Sequence, residues 1–163
     1  MDSKRRRAGL GAAIGVVLAA TAASAVTGAV HHVARDGGPV APGPDPATLA
    51  RLRSIVRRDA RFSRDPNPDS VLVYATTRRT ANAAAFEADV GAAEPVYLVV
   101  ARGHFVAVGM SKPSNDIPDA TGHIMRIVWE PRTQMVADFG IGDNEPDTSR
   151  LGPGFSLDLS ASS

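Results

Sequence analysis

The sequence predicts an α+β domain, two helices packed on one face of an antiparallel meander sheet of about five strands, preceded by an N-terminal membrane-targeting helix. Three observations carry that prediction. Leu49, Leu52, Val56 and Ala60 recur at helical spacing behind an Asp45-Pro46 start. From Val71 onward the apolar residues fall instead into short runs rich in β-branched and aromatic side chains, separated by Gly, Pro and charged residues. At the other end, Lys4, Arg5, Arg6 and Arg7 precede an unbroken uncharged stretch from Ala8 to Val30.

Taken in order, residues 1–7 form a short cationic region and residues 8–30 a transmembrane helix or a signal-peptide core. Twenty-three residues at 1.5 Å each reach roughly 35 Å, enough for a hydrocarbon core of about 30 Å. Cations before the segment place the N-terminus in the cytoplasm and the rest of the chain outside the membrane. Ala23-Ser24-Ala25 and Thr27-Gly28-Ala29 offer small residues where a signal peptidase cuts, so a secreted form stands beside the single-pass anchored one. Gly11 and Gly15 make a GxxxG in a segment where small residues are common enough for chance to supply one.

Residues 31–45, rich in Pro and Gly, read as a linker, residues 46–146 as the extracytoplasmic domain, and residues 147–163 as a polar tail. Within the domain, Asp45 is the N-cap and Pro46 the first position of a helix running to about Phe62. Val71 to Ala75 is a central strand, and Ala81 to Ala88 a second helix. Pro95 to Ala101 and His104 to Met110 read as two strands joined by a tight turn at Arg102-Gly103. A longer loop from Ser111 to Gly122 follows. His123 to Trp129 and Met135 to Ile141 form a last hairpin about Pro131-Arg132-Thr133.

Composition excludes several chemistries. There is no cysteine, hence no disulfide, thiolate metal site or cysteine nucleophile. Net charge is +1 and four of the cations precede the apolar stretch, which argues against a nucleic-acid partner. No G-x-S-x-G, H-E-x-x-H, S-x-x-K, Walker loop or Rossmann glycine set is present, and no cofactor is implied. The first helix is crowded with arginines, of which Arg53, Arg57, Arg58 and Arg61 are the candidate binding residues for anionic lipid, an anionic cell-wall polymer or an envelope protein. The reading that follows is an extracytoplasmic binding or interaction module without enzymatic activity.

The alternative is a small metal-dependent or acid–base hydrolase. His104 and His123 each begin a predicted strand; they read as ordinary solvent-exposed strand-end histidines, and the alternative is that they meet with Asp116 or Asp119 from the intervening loop. Asp143, Glu145 and Asp147 lack the spacing of an EF-hand loop and read as acidic turn residues rather than calcium ligands. Thr76-Thr77-Arg78-Arg79, between a strand and a helix, reads as an N-cap with solvated arginines, and an anion there is the alternative. His31 and His32 sit at the edge of the apolar segment as linker residues, and Trp129 is a core residue.

The run Pro95-Val96-Tyr97-Leu98-Val99-Val100-Ala101-Arg102-Gly103-His104-Phe105, with Thr121-Gly122-His123-Ile124 and the Trp129 to Phe139 hairpin, resembles small exported or membrane-anchored domains of actinobacterial type. That group has no assigned activity, so the resemblance, over residues 70 to 142, implies a location outside the membrane and brings no catalytic residue. The final hairpin also resembles the end of a PepSY-type domain, a family associated with extracytoplasmic regulation of proteases, while the preceding pattern departs from it.

Overall fold

The computed structural model describes residues 41–89, 91, 93–109 and 118–161. The expected membrane-targeting segment at 8–30, with Gly11, Gly15, His31 and His32, lies outside the described residues, as does Asp116. Among the described residues no helix is long and apolar enough to cross a membrane.

Helix α1 spans Pro46–Phe62. Asp45 begins it in extended geometry, its Oδ1 accepting the Thr48 N–H at 2.6 Å, and Pro46 occupies a position where no amide donor is needed. That bond holds the Asp45 carboxyl below the usual aspartate range. The helix stops at Ser63, and Arg64 turns the chain through the left-handed region at φ 64°. Strand β1 (Ser70–Thr77) leads directly into helix α2 (Arg78–Phe86), capped by the Thr77 hydroxyl. Strands β2 (Pro95–Val106), β3 (Thr121–Glu130) and β4 (Met135–Gly142) follow. A 3-10 turn at Thr148–Arg150 then brings in strand β5 (Gly154–Ser156).

All neighbours in the sheet are antiparallel, in the order β4-β3-β2-β1-β5. The α+β class and the antiparallel sheet follow the expectation from sequence, but three details differ. The first concerns β2, which is one long strand where a hairpin at Arg102-Gly103 was expected. Val96 to Ala101 are all buried, and the strand is bonded to β1 on one side and β3 on the other, so no edge is left for a hairpin partner. Gly103 serves a β-bulge instead. Between the pairs Arg102↔Ile124 and Phe105↔Gly122, the two residues Gly103 and His104 stand opposite His123 alone.

Secondly, the helices lie on opposite faces of the sheet, not on one. Tyr97, Val99 and Ala101 of β2 join Leu52, Ile55, Val56 and Ala60 of α1 in one cluster, with Met125, Ile127 and Trp129 of β3. The alternate residues Val96, Leu98 and Val100 join Ala81 and Ala85 of α2, with Ile124 and Val128. Residues two apart along a strand share a face. An uninterrupted apolar run in β2 is therefore the mark of a strand covered on both sides.

Thirdly, the fold reaches beyond the expected domain limits. Leu157, in the segment read as a polar tail, is buried, and its N–H donates to Val71 O at 2.9 Å beside the β1–β5 pairing. At the other end Ala41 is buried, and the Tyr97 hydroxyl donates to Pro42 O at 2.7 Å, so the end of the expected linker packs on the core. Tyr97 also stacks on Trp129, with ring centroids 5.9 Å apart, in keeping with a core tryptophan.

Candidate functional site

The bulge creates the first candidate. A ladder interrupted there leaves backbone donors that two carboxylates take up. Asp65, just past α1, accepts the His104 N–H at 2.6 Å, and Asp143, just past β4, accepts the His123 N–H at 2.9 Å. A Cβ at Gly103 would meet the Asp65 carboxylate, so a side chain there would push Asp65 off the His104 N–H.

With β2 and β3 so held, the His104 and His123 rings meet edge to face, centroids 4.9 Å apart. His123 Nδ1 lies 2.9 Å from Asp143 Oδ1. The hydrogen bonds from His123 keep Asp143 below the usual aspartate range, so it is an ionised acceptor and Nδ1 carries the proton. In that tautomer Nε2 is the acceptor nitrogen of the ring. Arg102 Nε and Nη2 donate to the two oxygens of Glu145 at 3.1 and 2.8 Å, which holds Glu145 below the usual glutamate range. These groups and Asp69 line an open cleft of about 190 Å³.

The residues that meet are the pair named in the alternative reading, His104 and His123. Of the acids expected with them, Asp119 is not among the cleft residues and Asp116 lies outside the described ones; Asp143 lines the cleft instead of Asp119. The register of the final hairpin carries the signal that names Asp143. Ile124 pairs with Gly142, and one step further sets residue 143 beside residue 123. Among the described residues no group of three or more His, Asp or Glu is arranged to hold a metal ion. Asp143, Glu145 and Asp147 turn to three different partners, His123, Arg102 and the Ser149 N–H and hydroxyl. What the cleft offers is an oriented imidazole and a second one, with no Ser or Thr hydroxyl among the described residues of its lining.

The second candidate is the arginine set of α1, and its members divide. Arg53 Nε donates to Asp158 O at 2.8 Å. Arg57 donates to Leu159 O and, at 3.2 Å, to Ala161 O. Both therefore clamp the C-terminal segment. Arg58 is exposed and paired with its neighbour Asp59 at 2.7 Å. Arg61 is exposed, and so is Arg51, which sequence reasoning left out of the candidate set; neither forms an ion pair among the described residues. Arg51, Ser54, Arg58 and Arg61 follow the 3-4-3 spacing of one helix face. Arg57 and Arg61 also border a cleft of about 640 Å³ between the end of α1, residues 66–71 and residues 156–160.

The Thr76-to-Arg79 segment proves to be a capped helix start. Thr77 caps α2, and Arg78 is turned to Asp138 of β4 at 3.3 Å. No family model, no curated protein and no solved structure matches the chain.

Proposed function

We propose that the domain is a binding or interaction module of the cell envelope. Residues 8–30 hold it outside the cytoplasmic membrane, or it is released there after their cleavage. In this reading the solvent face of α1 meets an anionic partner, a lipid headgroup or a wall polymer. The observation that carries it is the exposed row Arg51, Arg58 and Arg61, left over once Arg53 and Arg57 have bound the chain's own carbonyls. An anionic surface would find these guanidiniums unclaimed by any acid except Asp59.

Replacing Arg51, Arg58 and Arg61 together by Gln is expected to lower binding to anionic vesicles or teichoic-acid-type polymer at low salt by about a hundredfold, at about fivefold per arginine. Binding to both probes at wild-type strength in that variant would overturn the reading. Fractionation of cells expressing the full chain, with mass spectrometry of its N-terminus, tests the location. An intact N-terminus in the membrane pellet supports the anchor, a new one near residues 26–30 in the medium supports release, and a soluble cytoplasmic product removes both.

The histidine cleft supports a second reading, a small acid–base hydrolase. The observation that favours it is the ring contact between His104 and His123, with Asp143 orienting His123. Hydrolysis of activated esters or phosphoesters should follow a bell-shaped pH profile and fall to background in His123→Ala. Equal rates in wild type and the His104→Ala/His123→Ala double variant would remove this reading.

A further inference from the structure

The end of α1 carries a feature that neither the core nor the arginine row explains. Phe62 is 61% exposed, although it closes a helix whose other large apolar residues are buried or packed on the core. Its position on the helix is informative. Arg51, Arg58 and Phe62 stand at i, i+7 and i+11, and Arg58 and Phe62 are one turn apart on the solvent side. Exposed Arg61 flanks the phenyl ring's position within the helix, and exposed Arg64 follows two residues on. The outward stripe of α1 therefore reads Arg, Ser, Arg, Arg, Phe, ending in an exposed aromatic residue.

From this geometry we infer that α1 docks on an anionic lipid bilayer, with its arginines at the phosphates and Phe62 inserted at the boundary between headgroups and acyl chains. The inference rests on the proposed binding role of the arginine face and commits that role to one partner. Cations bind a charged bilayer and a charged polymer alike. Of the two, the bilayer is the one that gives an aromatic ring a use, since its apolar body leaves water there while the flanking cations stay at the interface. A polymer of polyol phosphates offers no apolar layer to receive it. The chain also carries the means of approach. The uncharged stretch 8–30 ends ten residues before Ala41, where the chain already packs on the core, and ten residues fully extended reach at most roughly 35 Å, so α1 would remain within reach of the same bilayer.

The absence of cysteine permits a direct test on the full-length chain. A nitroxide is attached at Ser54→Cys, on the docking face, or at Thr133→Cys, an exposed site in the β3–β4 turn at the end of the sheet away from Phe62. The protein is reconstituted in liposomes of phosphatidylglycerol with phosphatidylcholine, or of phosphatidylcholine alone. Collision with dissolved oxygen against a water-soluble nickel chelate then reports the depth of each label.

In anionic liposomes the Ser54 label should lie at headgroup depth and the Thr133 label in water, and both should be in water in phosphatidylcholine alone. Phe62→Ser should return most of the Ser54 label to water at moderate salt with all arginines in place. An aqueous Ser54 label in anionic liposomes, or a Phe62→Ser variant docked like wild type, would overturn the inference. Sedimentation of the same chain with wall polymer separates the two failures. Arginine-dependent polymer binding with an aqueous Ser54 label leaves the arginine face as a binding surface and removes the bilayer as its partner. No binding to either probe removes both.

Discussion

At Gly122 the sheet brings two backbones together so closely that a methyl group is too large: a Cβ there would stand 2.6 Å from Gly142 Cα. Backbone cannot swing aside as a side-chain end can, so Gly122→Ala must part β3 from β4 beside His123. A loss of about 2 kcal/mol is expected in urea unfolding. Gly152→Ala, whose nearest neighbour would be Ala75 O at 3.8 Å, should cost far less and serves as the control. The Arg102–Glu145 pair illustrates a different kind of residue effect. Glu145 has its proton affinity lowered in the fold by the Arg102 hydrogen bonds, so its contribution is complete above the ordinary glutamate range. It is lost as pH falls from about 4.3 down through the lowered folded value. Since the Glu145 side chain is 59% exposed, solvent screening limits that contribution to well under about 1 kcal/mol. Glu145→Gln should therefore destabilise slightly at neutral pH, and its unfolding curve should converge on that of wild type once the pH falls below the lowered folded value. A constant difference across that range would mean that the pair's charge is not what the substitution removes.

Among the elements, β5 depends most on side chains remote in sequence. Its three residues pair with Leu72, Val73 and Tyr74, and the chain beyond it is held by Arg53 and Arg57 through the carbonyls of Asp158, Leu159 and Ala161. Three residues of ladder are too few to hold a strand in place unaided. Arg57→Gln should accordingly raise amide exchange across 154–159 while leaving the β2–β3 amides protected, as measured by hydrogen–deuterium exchange; uniform loss of protection would make Arg57 a determinant of global stability instead. The same dependence explains why β5 was not readable in sequence. Gly154-Phe155-Ser156 has neither length nor alternation, and it becomes a strand only because β1 needs its edge covered and two helix arginines reach across to it. By contrast α1 was readable to the residue, since Asp45, Pro46 and the spacing of Leu52, Val56 and Ala60 act within the helix itself. The β2 run lies between these cases. Its strand character was plain in Val96 to Ala101, but Gly103 has one appearance in sequence whether it turns a hairpin or leaves room for Asp65 at a bulge. The meeting of the two histidines was legible only as the alternative to ordinary strand-end residues, and Asp143 was missed because it is placed by hairpin register rather than by nearness along the chain.

For the molecule as a whole, one sheet serves two apolar clusters, and β2 contributes alternate side chains to each. Tyr97, Val99 and Ala101 support α1 while Val96, Leu98 and Val100 support α2. Neither layer has a sheet of its own to fall back on, so loss of packing under α2 must withdraw support from α1 as well. Trp129, the single tryptophan, lies in the α1-side cluster against Tyr97 and reports on that face alone. Leu98, fully buried on the α2 side, is the place to perturb the other face. Leu98→Ala should cost about 2–5 kcal/mol, set by the lost contacts and the cavity left between α2 and the sheet. If the two layers form one cooperative unit, the unfolding midpoint followed by Trp129 fluorescence falls as far as the midpoint followed by far-ultraviolet circular dichroism, and the two curves coincide. A fluorescence midpoint that stays at the wild-type value while dichroism shifts would show the α2 layer opening by itself.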